Sequence, residues 1–111
     1  MAGREFLGEF EHIVLLAVLR LGDDAYGASV RREIETRTGR ALTVGALYRT
    51  LDRLELKGYV ASRVGDPTPE RGGRAKRHFQ LRPLGMRSLR ASRQALAAMW
   101  DGLEPQVNRG S

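Results

Sequence analysis

The 111 residues leave room for one domain built on one hydrophobic core, and a content of 41% hydrophobic and 29% charged residues excludes a disordered chain. The absence of cysteine excludes disulfides, thiolate zinc sites and a cysteine nucleophile. The net charge of +6 is unevenly spread: residues 1–39 carry 5 basic and 7 acidic side chains, residues 40–111 carry 14 basic and 6 acidic, and this asymmetry points to a polyanionic partner for the later part.

In chain order, Met1–Phe6 shows no signal-peptide apolar core, and the longest apolar run, Ile13–Leu19, is too short to span a bilayer. The absence of cysteine fits a cytoplasmic protein. The first helix is expected over about Glu9–Leu21. It is apolar on most sides, so it should be buried on most sides, and a second subunit is one way to bury it. Gly22 stops it, and Asp23 and Asp24 can cap a second helix over Ala25–Thr38, whose Tyr26, Val30 and Ile34 make one stripe. Gly39 suits the left-handed position that ends a helix.

Thr43 is a good N-cap for a third helix. Val44, Leu47, Tyr48, Leu51 and Leu54 recur at helical spacing, and Lys57-Gly58 closes the element. Its other side presents Gly45, Ala46, Arg49, Thr50 and Arg53. Small residues come first and long basic ones follow, a surface that can enter a groove and still reach phosphates. Tyr48 is read as core before base-stacking.

The period then changes to two. Val60–Val64 and Lys76–Leu81 alternate, and the stretch between them, Gly65–Arg74, is turn chemistry. This predicts a β-hairpin with a basic tip, for residues 70–82 hold 5 basic groups against Glu70 alone. A last helix opens at Pro83 and runs to about Leu103, with Leu89, Leu96 and Leu103 seven residues apart and Met99 and Trp100 beside them. Residues 105–111 read as a flexible tail.

Helix, helix, capped helix and basic hairpin together make a winged helix-turn-helix, mainly α with a small hairpin (α+β). Such a third helix fits the major groove, and the hairpin lies beside it. Each piece alone is weak evidence, since a basic loop is usually only a solvated loop. Of the 19 basic residues only Lys57 and Lys76 are lysine. Arginine suits phosphate through its planar fork, although a GC-rich genome would give the same ratio. His12 and His78 read as structural, and no metal or cofactor is expected. G-x-S-x-G, Walker and H-E-x-x-H patterns are absent, so the chain reads as no enzyme.

The segments Asp24-Ala25-Tyr26-Gly27, Val44–Glu55, Lys57-Gly58-Tyr59-Val60 and Gly72–Leu81 resemble the PadR family of bacterial transcriptional regulators over about residues 10–100. Leu47–Gly58 follows the family pattern LYxxLxRLExxG. The chain departs from it at His78-Phe79, where paired aromatics are frequent, and at Arg82-Pro83, where a threonine often caps the last helix. The resemblance implies a homodimer joined through the last and first helices, acting as a repressor on its own or a neighbouring promoter. It also implies that some members release DNA on binding a small planar aromatic compound.

The reading thus divides the chain into a DNA-binding unit (1–82), a dimerisation helix (83–104) and a tail (105–111). DNA contacts are expected from Thr43, Gly45, Ala46, Tyr48, Arg49, Thr50 and Arg53 on the third helix. The wing should add Arg71, Gly72, Gly73, Arg74, Lys76 and Arg77. Phe10, Ile13, Val14, Leu89, Leu96, Met99, Trp100 and Leu103 are expected at the dimer interface. Leu96, Met99 and Trp100 are candidate ligand contacts, with plain subunit packing as the other reading. The expected partners are double-stranded DNA with a near-palindromic operator and a second copy of the chain. A protein–protein or RNA-binding module on the same winged scaffold is the alternative.

Overall fold

Val14, Leu15 and Val18 point inward from α1 (Glu9–Leu21) and centre the core of the computed structural model, which describes residues 6–65 and 75–103. The helix starts where the Glu11 carboxylate accepts the backbone N–H of Gly8 at 3.1 Å, and ends where Gly22 turns to φ +57°. Leu16 and Leu19, on its far side, are exposed, so a single chain covers only part of this apolar helix.

A 3-10 turn over Gly22–Asp24 leads to α2 (Gly27–Thr38). The helix begins two residues later than Ala25, and Asp23 and Asp24 do not cap it. Ala25 is instead extended (ψ 100°), because its carbonyl accepts the N–H of Phe79 at 2.8 Å from the hairpin. Ser29 supplies the missing cap: its hydroxyl accepts the N–H of Tyr26 at 3.0 Å and donates to the Asp24 carbonyl. At the other end Gly39 takes φ +70°, the left-handed conformation that releases the chain toward α3.

α3 (Val44–Leu56) buries Leu47, Leu51 and Leu54 against α1 and α2. Its end is a Schellman turn: Gly58 at φ +81° lets Tyr59 N–H reach the Leu54 carbonyl and Gly58 N–H reach that of Glu55, both at 3.0 Å. β1 (Val60–Val64) then pairs antiparallel with β2 (Arg77–Leu81), Val60 facing Leu81 and Val64 facing Arg77. Val60 and Phe79 carry the sheet's inner face into the core.

α4 (Pro83–Trp100) opens on Pro83 and packs its first half on α1. Gly85 lies close against the hairpin's ends instead, at the Tyr59 carbonyl and the Leu81 side chain. The helix stops at Trp100 rather than Leu103, for Gly102 adopts φ +83° and Leu103 N–H turns back to the Trp100 carbonyl. Among the described residues, no helix is long and apolar enough to cross a membrane.

Candidate nucleic-acid interface

The first turn of α3 is fixed from within. Thr43 is extended, and its Oγ1 accepts the Ala46 N–H at 3.1 Å, satisfying one free donor of the helix start. The surface beyond it is low and open. Val44 and Gly45 are exposed, and the Arg49 guanidinium lies over Gly45, where a β-carbon would stand 3.3 Å from its Nη1. Among the described residues no ion pair or hydrogen bond engages the Arg49 side chain. Tyr48 is half-buried, with its hydroxyl against Gly27 at the start of α2.

Thr50 is enclosed at 4% exposure. It was expected on the outward side with Arg49 and Arg53, yet it stands three residues after Leu47 and four before Leu54, on the inner edge of the helix. It is therefore corrected from an outward-facing position to a core one.

The basic residues farther along α3 are tied to the protein itself. Arg53 donates to Glu11 at 3.0 Å, and Lys57 donates to the same carboxylate at 3.2 Å. Burial favours the protonated form of Glu11, but the Gly8 N–H and these two cations outweigh it and hold the carboxyl below its ordinary value. Arg77, expected at a phosphate, spans Asp52 at 2.9 Å and Glu55 at 2.6 Å. Its burial is overcome by those two carboxylates, which raise its pKa further. The Ser62 hydroxyl, and then Arg77, in turn hold Glu55 low against its desolvation. Lys76 is exposed, with its ammonium 4.2 Å from the centre of the Tyr26 ring. His78 meets that ring edge-on and places Nδ1 3.0 Å from the Asp23 carbonyl, a structural post. Arg71, Gly72, Gly73 and Arg74 lie outside the described residues.

Two arginines that the residue pattern did not single out border the same surface. Arg31 and Arg32, with Gly27, Ala28, Val44 and Tyr48, line a cleft of about 400 Å³ between the starts of α2 and α3. Arg31 is held loosely by Glu35 at 3.4 Å, and Arg32 is exposed without an ion pair among the described residues. The available signal was a pair of arginines off the apolar stripe of the helix that precedes the groove helix, which in this motif crosses the DNA backbone.

Between α1 and α4 runs a groove of about 530 Å³ lined by Leu16, Leu19, Met86, Leu89 and Leu96, with Arg90 and Arg93 beside them. His12 also lines it, and burial pushes its pKa down. Met99 (76%), Trp100 (45%) and Leu103 (44%) are exposed beyond the groove. Phe10 and Ile13 are half-buried. Val14, expected at a subunit contact, is instead enclosed in the chain's own core at 0%, because it lies on the side of α1 that meets the rest of the domain; Leu89, also expected there, is buried at 4% and reaches the surface only as part of the groove lining. Among the described residues no three His, Asp or Glu side chains converge as a metal would need.

The sequence profile described as the Transcriptional regulator PadR-like family matches residues 15–91, more than half of the chain. The chain belongs to that family. No curated protein matches it. Among solved structures it is similar to a transcriptional regulator from Clostridium thermocellum (22% identity, TM-score 0.69, covering 82% of this chain and 85% of that one). It is also similar to a PadR family transcription regulator from Clostridium difficile (25%, 0.62, 88% and 96%). A third neighbour is a winged-helix DNA-binding protein from STIV (19%, 0.63, 84% and 92%). The four helices and two-stranded hairpin are thus a winged-helix fold in a PadR-like regulator.

Proposed function

We propose that the chain is a sequence-specific regulator that binds double-stranded DNA as a homodimer and represses its own or a neighbouring promoter, without enzymatic activity. The observation that carries this reading is the first half of α3: small Gly45 and Ala46 beside an exposed Arg49 that no ion pair engages among the described residues, flanked by the Arg31/Arg32 cleft. Such a surface lets a helix approach base edges closely while arginines beside it meet phosphates. Thr43, Gly45, Ala46 and Arg49 take the groove, Tyr48 stands at its edge, and Arg32 and Lys76 meet the flanking backbone. The wing residues Arg71, Gly72, Gly73 and Arg74 belong to the same reading.

Subunit pairing is assigned to the exposed Leu96, Met99, Trp100 and Leu103 of the C-terminal stretch together with Leu16, Leu19, Phe10 and Ile13 of α1. Exposed leucine, methionine and tryptophan on one helix make a patch that a monomer would normally cover. A two-fold pair would read half-sites about 34–36 Å apart, hence a near-palindromic operator. Leu96, Met99 and Trp100 are assigned to packing first. Quenching of Trp100 fluorescence by a planar aromatic compound would reassign them to an effector site.

Fluorescence anisotropy with duplexes tiling the protein's own promoter, repeated over a salt series, tests the reading. The expected result is saturable binding to one duplex that weakens steeply with salt. Absence of duplex binding, or stronger competition by single-stranded RNA than by duplex, would overturn it.

A further inference from the structure

Glu55 is the point where α3 and both strands meet. Its Oε2 accepts the Ser62 N–H at 3.1 Å and the Ser62 hydroxyl at 2.8 Å from β1, and its Oε1 accepts Arg77 Nη2 at 2.6 Å from β2. The other guanidinium nitrogen, Nη1, reaches Asp52 at 2.9 Å. Asp52 and Glu55 are three residues apart and therefore share one side of α3, a turn beyond Arg49. The guanidinium plane also lies 4.8 Å from the centre of the buried Phe79 ring. Both prongs and one face of Arg77 are thus occupied.

Apolar packing by Val60 and Phe79 attaches the hairpin to the core, but such packing is non-directional. A planar ion fixed by two carboxylates is directional. It specifies how far β2 stands from the groove side of α3 and at what angle. A phosphate could engage Arg77 only by displacing two carboxylates already at bonding distance.

We infer that Arg77, clamped by Asp52 and Glu55, is a positioning residue that locks the hairpin to the reading helix, so that Lys76, the residue just before β2, meets the DNA backbone only when α3 is seated. The inference rests on the DNA-binding reading above. It carries a sign that plain electrostatics reverses. Removing a carboxylate near DNA should tighten binding if charge alone matters, whereas removing a clamp residue should weaken it.

The experiment compares duplex affinity of the wild-type chain with Glu55→Gln, Asp52→Asn and Arg77→Met, each confirmed folded by circular dichroism at the assay temperature. Glu55→Gln and Arg77→Met are expected to weaken binding about tenfold, the range in which contacting residues couple. Lys76→Ala should cost about fivefold in the wild type, as one lost phosphate contact does, and less than about twofold in Arg77→Met. Should Glu55→Gln fail to fold, exposed Asp52→Asn tests the same sign. Equal or tighter binding by the carboxylate variants overturns the inference, as does strict additivity of Lys76→Ala and Arg77→Met. A wild-type chain that binds no duplex overturns the DNA reading, and the clamp's role with it.

Discussion

The phenolic oxygen of Tyr48 rests against Gly27, so that a β-carbon at Gly27 would lie 2.0 Å from it and 2.6 Å from the ring carbon that bears it. The two residues set the distance between the starts of α2 and α3, and so the width of the cleft bordered by Arg31 and Arg32. Gly27→Ala should therefore lower stability by about 1–3 kcal/mol, the usual cost of overpacking, even though alanine is the better helix former. Thermal denaturation checks it. In a Tyr48→Ala background the same glycine substitution should cost far less, and an unchanged cost there would show that the clash is not with Tyr48.

Gly85 presents a harder limit. An added β-carbon would stand 2.3 Å from the Tyr59 carbonyl oxygen, and backbone cannot swing aside as a tyrosine ring can. Gly85→Ala is expected to destabilise by about 3 kcal/mol, the upper end of overpacking, with denaturant midpoint as the readout. A stabilised variant would mean that helix propensity outweighs the contact.

The Glu11 carboxylate and the His12 ring both make the fold acid-sensitive, in two windows. His12 is held neutral by burial, so its folded pKa lies below the ordinary 6.5. Its contribution is complete above that value and declines as pH falls below it. Glu11 has its folded pKa below the ordinary 4.5, so its contribution is present above pH 4.5 and is lost as pH falls through the folded value. Glu11→Gln should lose about 1.5–3 kcal/mol at neutral pH, the scale of a hydrogen bond to a charged group, and the gap to the wild type should close in strong acid. Urea titrations at several pH values measure this, and a gap independent of pH would count against it.

Two arginines on neighbouring helices should behave differently in DNA binding. Arg49 overlies the small-residue face of α3, so Arg49→Ala should change which duplexes are preferred. Arg32→Ala should weaken all duplexes alike and reduce the slope of log K against log salt by about 0.9, one phosphate's share. A selected-library comparison and a salt series separate the two, and an unaltered slope for Arg32→Ala would remove it from the backbone contacts.

Trp100 is exposed on a chain whose Leu96, Met99 and Leu103 are exposed too. If that patch joins two subunits, Trp100→Ala should shift sedimentation toward the monomer at micromolar concentration while leaving the helical signal intact. Unchanged sedimentation would place the subunit contact elsewhere.

What could be read in the sequence was what neighbours in the chain decide. α1 and α3 run as their apolar periods and stops foretold, since capping by Thr43 and the turn at Gly58 are local events. The start of α2 was misplaced because Ala25 pairs with Phe79, far along the chain, and that pairing keeps the backbone extended. The fate of individual cations was also hidden. Arg53 and Arg77 look alike on paper as free positive charges. Their acceptors, Glu11 and Glu55, are 42 and 22 residues away, and only the folded chain brings each pair together. Thr50 was misjudged for a subtler reason, as it stands where the outward and inward sides of α3 meet, and a short side chain there is covered by its neighbours.

Two adjacent side chains give α1 a double duty. Glu11 grips the rear of α3 through Arg53 and Lys57, while one residue along the same helix His12 borders the groove shared with α4. The hold on α3 is ionic and the seam with α4 is largely apolar, so protonating Glu11 would loosen the first and leave the second as it is.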